Sequence, residues 1–298
     1  MVLTLESSAL QVELDPDRGG NIHSIRTPES SNWLFYDPTR APTGPGQALA
    51  YDDVWCGGFE ELFPNDAPCV FDGRTLPDHG ELWNASLAVV STGERSVQLR
   101  RECTSVPATF EKHIRLDPRG PSLAIDYKVT NTGTVPLSFL FKLHPAMAIE
   151  PGDRILLPGG TVTPVDPAFG TNYGGGAASW PMVPDRAGGT LDLSRVPSRE
   201  SRRQEFVYVK DIPAGWCGLE RASSGERIVF TFPLSVFPYC WLFLTYGGWR
   251  EYYTAVLEPC TNMPKDLNEA RSAGQCAVLA PGAHLACTVN ISIHSRHG

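Results

Sequence analysis

Residues 123–129, LAIDYKV, and residues 287–293, CTVNISI, alternate apolar side chains with small or polar ones. Successive side chains of a β-strand point to opposite faces of a sheet, so a period of two predicts strands that are buried on one face. Residues 10–14, LQVEL, show the same alternation, and 28 glycines and 26 prolines separate further apolar runs at short intervals. The sequence therefore predicts an all-β protein.

Helix signals are few, and the clearest is residues 261–270, TNMPKDLNEA. Thr261 or Asn262 is placed to cap this helix, Pro264 suits its first turn and Gly274 suits its end. We predict one domain over residues 1–298, a large antiparallel β-sandwich with very little helix, in which residues 158–203 form a long surface excursion. Further strands are expected at 87–90, 97–101, 110–116, 137–143, 206–209, 216–220, 228–232, 241–246 and 255–257.

The composition narrows the classes of partner. With 25 basic and 33 acidic residues the formal net charge is -8, which argues against nucleic acid as a partner. No apolar run approaches the roughly 20 residues that span a bilayer, and the N-terminus does not resemble a signal peptide, so we expect no membrane partner and a cytoplasmic location. The eight cysteines show no zinc-type spacing, and no phosphate loop or dinucleotide motif occurs. We therefore expect free thiols, no metal and no cofactor.

The densest polar segment is residues 56–83, CGGFEELFPNDAPCVFDGRTLPDHGELW. Acids and one histidine, His79, lie there among aromatic residues and turn-forming glycines and prolines. Such a mixture indicates the rim of a polar pocket, because loops that carry binding residues have this character. The histidines at 23, 113, 284, 294 and 297 fall in polar turns, on a polar strand face or in the terminal tail, and we expect them at the surface.

His144 ends the apolar run 139–143, FLFKL, and Pro145 is expected to stop or bend that strand. A period of two places Lys142 and His144 on the same face of the sheet. A cation and an imidazole on one face require either solvent or a polar pocket, and the spacing leaves both open.

Glu258 likewise ends an apolar run, 252–257, YYTAVL, before Pro259. If aromatic residues such as Trp249 surround the carboxylate, desolvation disfavours its charged form and makes it a stronger base. The alternative is a strand-end glutamate in water or paired with Arg250 or Lys265. A metal site built from His79, Glu81, His144 and Glu258 has no support from their spacing.

Five motifs resemble, in order and spacing, those of the aldose 1-epimerase (galactose mutarotase-like) family over nearly the whole chain. They are GGFEELFPN at 57–65, DHGELW at 78–83, HP at 144–145, EP at 258–259 followed by TN, and LAPG at 279–282. The resemblance implies a β-supersandwich with a sugar-binding cleft, and a cofactor-free isomerase that interconverts the α and β anomers of a free aldose.

The resemblance also implies roles for single residues. Glu258 is the expected base that removes the proton of the anomeric hydroxyl, and His144 the expected acid that protonates the ring oxygen from the opposite side of the sugar. His79 is the expected assisting histidine. The expected substrate-binding residues are Asn65, Glu81, Trp83 and Lys142, and Trp249 and Tyr252 offer further flat faces for a sugar ring.

The chain departs from galactose mutarotases proper at two positions. They tend to carry Asn-Arg where this chain has Asn65-Asp66, and phenylalanine where it has Glu81. A sugar-binding aspartate expected between His144 and Glu258 has three candidate positions, 185, 192 and 211. The sequence therefore leaves the sugar open. It also leaves a second function, a non-catalytic carbohydrate-binding protein on the same fold, and either a monomer or a homodimer.

Overall fold

The computed structural model describes residues 1–41 and 49–295. Strands account for 48% of the chain and helices for 6%, which confirms the all-β prediction. The helices are α1 (Tyr51–Val54) and α2 (Leu267–Ser272), with 3₁₀ turns at Leu82–Asn84 and Arg199–Ser201. The strands are β1 Leu3–Glu6, β2 Gln11–Asp15, β3 Asn21–Arg26, β4 Phe59–Leu62, β5 Cys69–Phe71, β6 Arg74–Leu76, β7 Ala88–Gly93, β8 Ser96–Glu102, β9 Ala108–Leu116, β10 Ser122–Asn131, β11 Leu137–Phe139, β12 Lys142–Ala148, β13 Arg154–Leu156, β14 Thr161–Pro164, β15 Ala178–Ser179, β16 Met182–Pro184, β17 Thr190–Asp192, β18 Arg203–Lys210, β19 Trp216–Glu220, β20 Arg227–Thr231, β21 Tyr239–Tyr246, β22 Tyr253–Cys260, β23 Ala277–Leu279 and β24 His284–His294.

Two large antiparallel sheets form the architecture within the described residues. The first has twelve strands in the order β1-β2-β3-β4-β12-β22-β21-β18-β14-β15-β16-β17. The second has eight strands in the order β13-β19-β20-β24-β10-β9-β8-β7. Their facing side chains form one large apolar core, which confirms the predicted antiparallel sandwich.

The first sheet divides its side chains between two faces in a way that positions the site. Leu143 of β12 and Leu257 of β22 are fully buried in the core between the sheets. Their neighbours His144 and Glu258 therefore project from the opposite face, because side chains alternate along a strand. That outer face carries small apolar clusters of its own and the polar groups described below.

The two prolines beside these polar residues do not end their strands, which corrects the prediction. β12 continues through Pro145 to residue 148, and β22 continues through Pro259 to residue 260. The ladder between the two strands pairs residue 142 with 260 and resumes at Ala146 with Val256. Both prolines lie in the interruption between these pairs, so their missing N–H groups cost no hydrogen bond of this ladder.

Three other predictions need correction. Residues 137–143 are not one strand, because the chain leaves the small β11–β23 sheet after Phe139 and enters the large sheet at Lys142. The helix expected at 261–270 begins only at residue 267. The Asp266 side chain caps this helix by accepting hydrogen bonds from two backbone N–H groups. The expected caps, Thr261 and Asn262, are instead buried upstream of the helix. Residues 158–203 are not a bare excursion, since β14–β17 extend the edge of the first sheet.

The remaining expectations concern the cysteines, membrane-spanning helices and His297. All eight cysteines are free thiols. Within the described residues, no helix has the length and apolar character required to cross a membrane. His297, expected at the surface, lies outside the described residues.

Candidate active site

A row of polar and aromatic side chains crosses the outer face of the first sheet. His144 on β12 pairs in register with Glu60 on β4. On its other side, the pairs at 142–260 and 146–256 place Glu258 directly opposite His144. Glu258 in turn pairs with Trp241 on β21. The sheet therefore fixes the row Glu60–His144–Glu258–Trp241 by strand register alone.

Two residues of this row, His144 and Glu258, form part of the floor of a cavity of about 300 Å³. Its charged and polar lining includes Lys142, His144 and Glu258 from the sheet and His79 from the loop at 77–81. Aromatic side chains form much of the remaining wall, namely those of Tyr51, Trp55, Phe169, Phe206, Phe243 and Trp249. Flat apolar walls over a floor of hydrogen-bonding groups suit a small polyhydroxylated ring.

Lys142 is the electrostatic centre of the floor. Its side chain is only 1% exposed, and its Nζ contacts the carboxylates of Asp66 and Glu258, the second at 2.6 Å. Nζ also lies 4.2 Å from the centre of the Trp241 ring. Burial opposes the charge of Lys142, but the two carboxylates outweigh it and raise the pKa of the ammonium. Burial alone would raise the pKa of Asp66, and Lys142 with the nearby histidines lowers it instead.

The placement of Lys142, His144 and Glu258 decides alternatives that the sequence left open. Lys142 and His144 do share a face, and that face is a buried pocket floor because His144 is 5% exposed and Lys142 1% exposed. Glu258 pairs with neither Arg250 nor Lys265. Its ion pair is with Lys142, and Arg250 instead pairs with Asp53.

His144 has acceptors on both sides of its ring. Nδ1 lies 3.4 Å from Oε1 of Glu60 and 3.5 Å from the hydroxyl oxygen of Tyr51. Nε2 lies 3.9 Å from Oε1 of Glu258. The imidazole is thus held between two carboxylates, with Nε2 on the side of Glu258.

A tight turn brings His79 to the cavity. His79 and Gly80 both have left-handed φ angles, 58° and 70°. The His79 N–H donates to Asp66 O at 2.7 Å, and a methyl group on residue 80 would lie 2.2 Å from the carbonyl oxygen of Phe63. Only glycine fits that approach. Burial would lower the pKa of His79, but a 2.9 Å hydrogen bond to Asp78 and the charge of Asp66 raise it.

Three residues expected to bind substrate are not among the side chains that line this cavity. Asn65 is fully buried, and its amide donates to the carbonyls of Ala67 and Pro77. Glu81 accepts hydrogen bonds from Arg101, Thr104 and Ser105. Trp83 packs edge-on against Tyr51 with ring centres 5.1 Å apart, and it lines a neighbouring hollow together with Glu81.

The positions of the expected aromatic faces and of the three candidate aspartates can be compared with this lining. Trp249 does line the cavity, whereas Tyr252 is stacked behind it at 5.2 Å between ring centres. None of the aspartates at 185, 192 and 211 lines the cavity, and the first two accept hydrogen bonds from backbone N–H groups of their own loops.

Several residues that line the cavity, and Glu60 beside His144, had no prediction as site residues. Glu60 and Asp66 lie in the segment 56–83. Because FEEL at 59–62 is a strand, its successive residues Glu60 and Glu61 point to opposite faces of the sheet. Tyr51 and Trp55 lie on or beside the four-residue helix α1, for which the sequence gives no pattern. Within the described residues no cluster of three or more His, Cys, Asp or Glu side chains is arranged to hold a metal ion.

Comparison with known proteins gives the fold. No protein-family model and no curated protein matches the sequence. Three solved structures each match over 99% of this chain. The Slr1438 protein from Synechocystis sp. PCC 6803 has a TM-score of 0.74 and 18% identity over 96% of its own length, and an Escherichia coli K12 protein provisionally named an aldose 1-epimerase has a TM-score of 0.73 and 18% identity over 99% of its length. A galactose mutarotase related enzyme from Lactobacillus acidophilus has a TM-score of 0.70 and 14% identity over 98% of its length. The chain is therefore similar in fold to galactose mutarotase-like proteins, as the motifs implied.

Proposed function

We propose that this chain, built on a galactose mutarotase-like fold, interconverts the α and β anomers of a free aldose without a cofactor. The observation that carries the proposal is the direct opposition of His144 and Glu258 on the floor of an aromatic-walled cavity. A site that only binds sugar needs no imidazole facing a carboxylate at 3.9 Å. A cavity of about 300 Å³ is at the small end for ligand sites and suits a single sugar ring.

The proposed chemistry uses the two oxygens that are bonded to the anomeric carbon. Glu258 removes the proton of the anomeric hydroxyl, whose O–H electrons form the aldehyde C=O bond. The bond from C1 to the ring oxygen breaks, and that oxygen takes the proton from Nε2 of His144. Rotation about C1–C2 and the reverse steps give the other anomer and return both protons.

The placement of the pair changes one detail of the expected mechanism. His144 and Glu258 project from one face of one sheet, so they approach the sugar from the same side rather than from opposite sides. The geometry still suits the reaction, because both target oxygens are bonded to one carbon and lie within a few ångströms of each other. His79 and Lys142, at the edge and floor of the cavity, are then placed to hold the remaining hydroxyl groups.

One observation favours the second candidate, a non-catalytic sugar-binding protein. The ammonium of Lys142 lies 2.6 Å from Oε2 of Glu258, so one oxygen of the expected base is already engaged by a buried cation. For turnover, Oε1 on the His144 side is the atom that takes the proton. Experiment therefore has to separate turnover from binding.

Exchange NMR on a panel of neutral aldoses, amino sugars and sugar phosphates measures anomer interconversion directly at equilibrium. We expect the wild-type protein to accelerate exchange of at least one sugar, and Glu258→Gln or His144→Ala to reduce the rate about 10²- to 10⁴-fold with the fold retained, as expected for loss of a general base or acid. Glu205→Gln is the matched control, because Glu205 is a buried carboxylate that instead binds the backbone N–H groups of residues 172 and 173.

The same panel distinguishes the two functions. Wild-type protein that accelerates no sugar, yet gains thermal stability from one of them, establishes the binding protein. Equal rates for wild type and Glu258→Gln refute the assignment of the base even if the protein is active.

A further inference from the structure

Glu60 contacts His144 from the side away from Glu258, and the proposed reaction gives it no direct part. Its side chain is 6% exposed, and Oε1 lies 3.4 Å from Nδ1 of His144. The next residue, Glu61, faces the core, where it pairs with Lys112. A buried carboxylate is costly unless a proton donor or a cation compensates it. Among the described residues, the hydroxyl of Tyr51 and Nδ1 of His144 are the groups within contact distance of Oε1.

The contacts of Tyr51 determine which nitrogen of His144 carries a hydrogen. Tyr51 donates its single hydroxyl proton to Oε1 of Glu60 in a short hydrogen bond. Burial, followed by the charge of Glu60, raises the pKa of Tyr51 far above its ordinary value, so the phenol keeps this proton. Its oxygen, 3.5 Å from Nδ1 of His144, is then an acceptor. Nδ1 thus faces two acceptors and must be protonated.

We propose that Glu60 is a positioning residue that fixes His144 in the Nδ1–H form and leaves Nε2 as the nitrogen that exchanges a proton at the cavity. The kinetic consequences of this inference rest on the proposed function. When Nε2 gives up its proton, the product is the neutral Nδ1–H tautomer, which Glu60 and Tyr51 already hold. His144 can therefore act as acid and then as base without turning its ring.

Glu60 also places a negative charge beside the imidazole ring of His144. Other groups contribute to the same field and are unchanged by substitution of Glu60. Those facing or near His144 are Glu258 from β22, Tyr51 from α1, His79 and Asp66 from the loops over the cavity, and Lys142 from its own strand.

The test is Glu60→Gln, which keeps the shape of the side chain and removes its charge. We expect kcat for anomer exchange to fall about 10- to 100-fold, as when a carboxylate that orients a functional histidine is lost, with KM changed less than about twofold. Glu60→Asp, which retains the charge, should recover part of kcat.

Two controls separate positioning from a structural role. Glu205→Gln removes a buried carboxylate elsewhere and should leave kcat for anomer exchange at the wild-type value. The tautomer is read independently of activity by ¹⁵N NMR of histidine-labelled protein, with His144→Ala used to assign the resonance. We expect the neutral ring of His144 to be the Nδ1–H tautomer in the wild type.

The outcomes distinguish this proposal from the proposed function. If the wild type turns over no sugar, the proposed function fails, and the NMR tautomer alone decides the role of Glu60. If the wild type is active and folded Glu60→Gln retains its kcat within twofold, the proposal is overturned. If Glu60→Gln does not fold, an Nε2–H tautomer in the wild type overturns it and an Nδ1–H tautomer supports it.

Discussion

Replacement of Lys142 by methionine tests whether this ammonium holds the cavity floor together. Methionine keeps the apolar length that packs on Trp241 and removes the charge. The carboxylates of Asp66 and Glu258, 7% and 1% exposed, then lose the buried lysine cation that both contact. Breaking a buried ion pair by removal of one partner costs about 3–5 kcal/mol. We therefore expect the melting temperature to fall by about 10 °C at neutral pH.

The pH dependence gives this prediction a second signature. In the wild type the pKa of Asp66 is lowered, so its contribution to stability is present above its unfolded pKa and is lost only as the pH falls through the lower folded value. Without Lys142, burial remains the dominant influence on Asp66 and raises the pKa of its carboxyl group. Its protonated form is then favoured by folding, so the melting temperature of Lys142→Met should decrease as the pH rises from about 4 to 8.

Thermal unfolding followed by circular dichroism across that pH range is the assay, with two comparisons. Lys128→Met is the matched control, since Lys128 is 47% exposed and its 3.6 Å pair with Glu111 is worth at most about 1 kcal/mol. The double variant Lys142→Met/Asp66→Asn removes one of the two unpaired charges and should recover part of the loss. A melting temperature for Lys142→Met within 2 °C of wild type at pH 7.5, with the same pH profile, would refute the reasoning.

Two further predictions concern the loop that carries His79. Asp78→Asn should lower the pKa of His79, because the raised value depends first on that hydrogen bond, and an NMR titration of the ring measures it. The stabilising effect of Asp78 should be present below about pH 6.5 and disappear as the pH rises through the folded pKa of His79; a variant with an unchanged titration contradicts this. Gly80→Ala should cost about 2 kcal/mol or more by thermal unfolding, because the methyl group would meet the carbonyl oxygen of Phe63 at 2.2 Å. Gly73→Ala, with a φ of 75° but nothing within 4 Å, should cost less, and equal losses would show that the clash is unimportant.

The fold was predictable because alternation is a strong local signal. The pattern of residues 123–129 and 287–293 became β10 and β24, which pair in register along nine residues of β10. The errors lie where tertiary context overrides a local rule. Pro145 and Pro259 are strand breakers in sequence, and they are accommodated only because they lie in the same interruption between two adjacent strands.

The site was predictable only in part, for a related reason. Lys142, His144 and Glu258 stand out because each is a charged or ionisable residue at the buried face of an apolar strand. Glu81 stands out equally in sequence, yet it binds backbone and side-chain donors of residues 101–105 away from the cavity. Sequence shows that a polar group needs a partner and does not show which partner it finds. The ion pair of Asp66 with Lys142, 76 residues away, belongs to this class.

The opposition of His144 and Glu258 across two neighbouring strands has a consequence for how this site tolerates change. The distance between the two groups is set by the pleat and spacing of the sheet, whereas the segments at 51–55, 66–68 and 77–81, outside the sheet, supply part of the walls. Loop insertions can therefore reshape what the cavity accepts and leave the pair intact. A single-residue insertion or deletion inside β12 has the opposite effect, because it turns the whole strand over and brings Leu143 or Pro145 to the position of His144. Chain-length variation in relatives of this protein should accordingly concentrate in those loops and avoid β12 and β22.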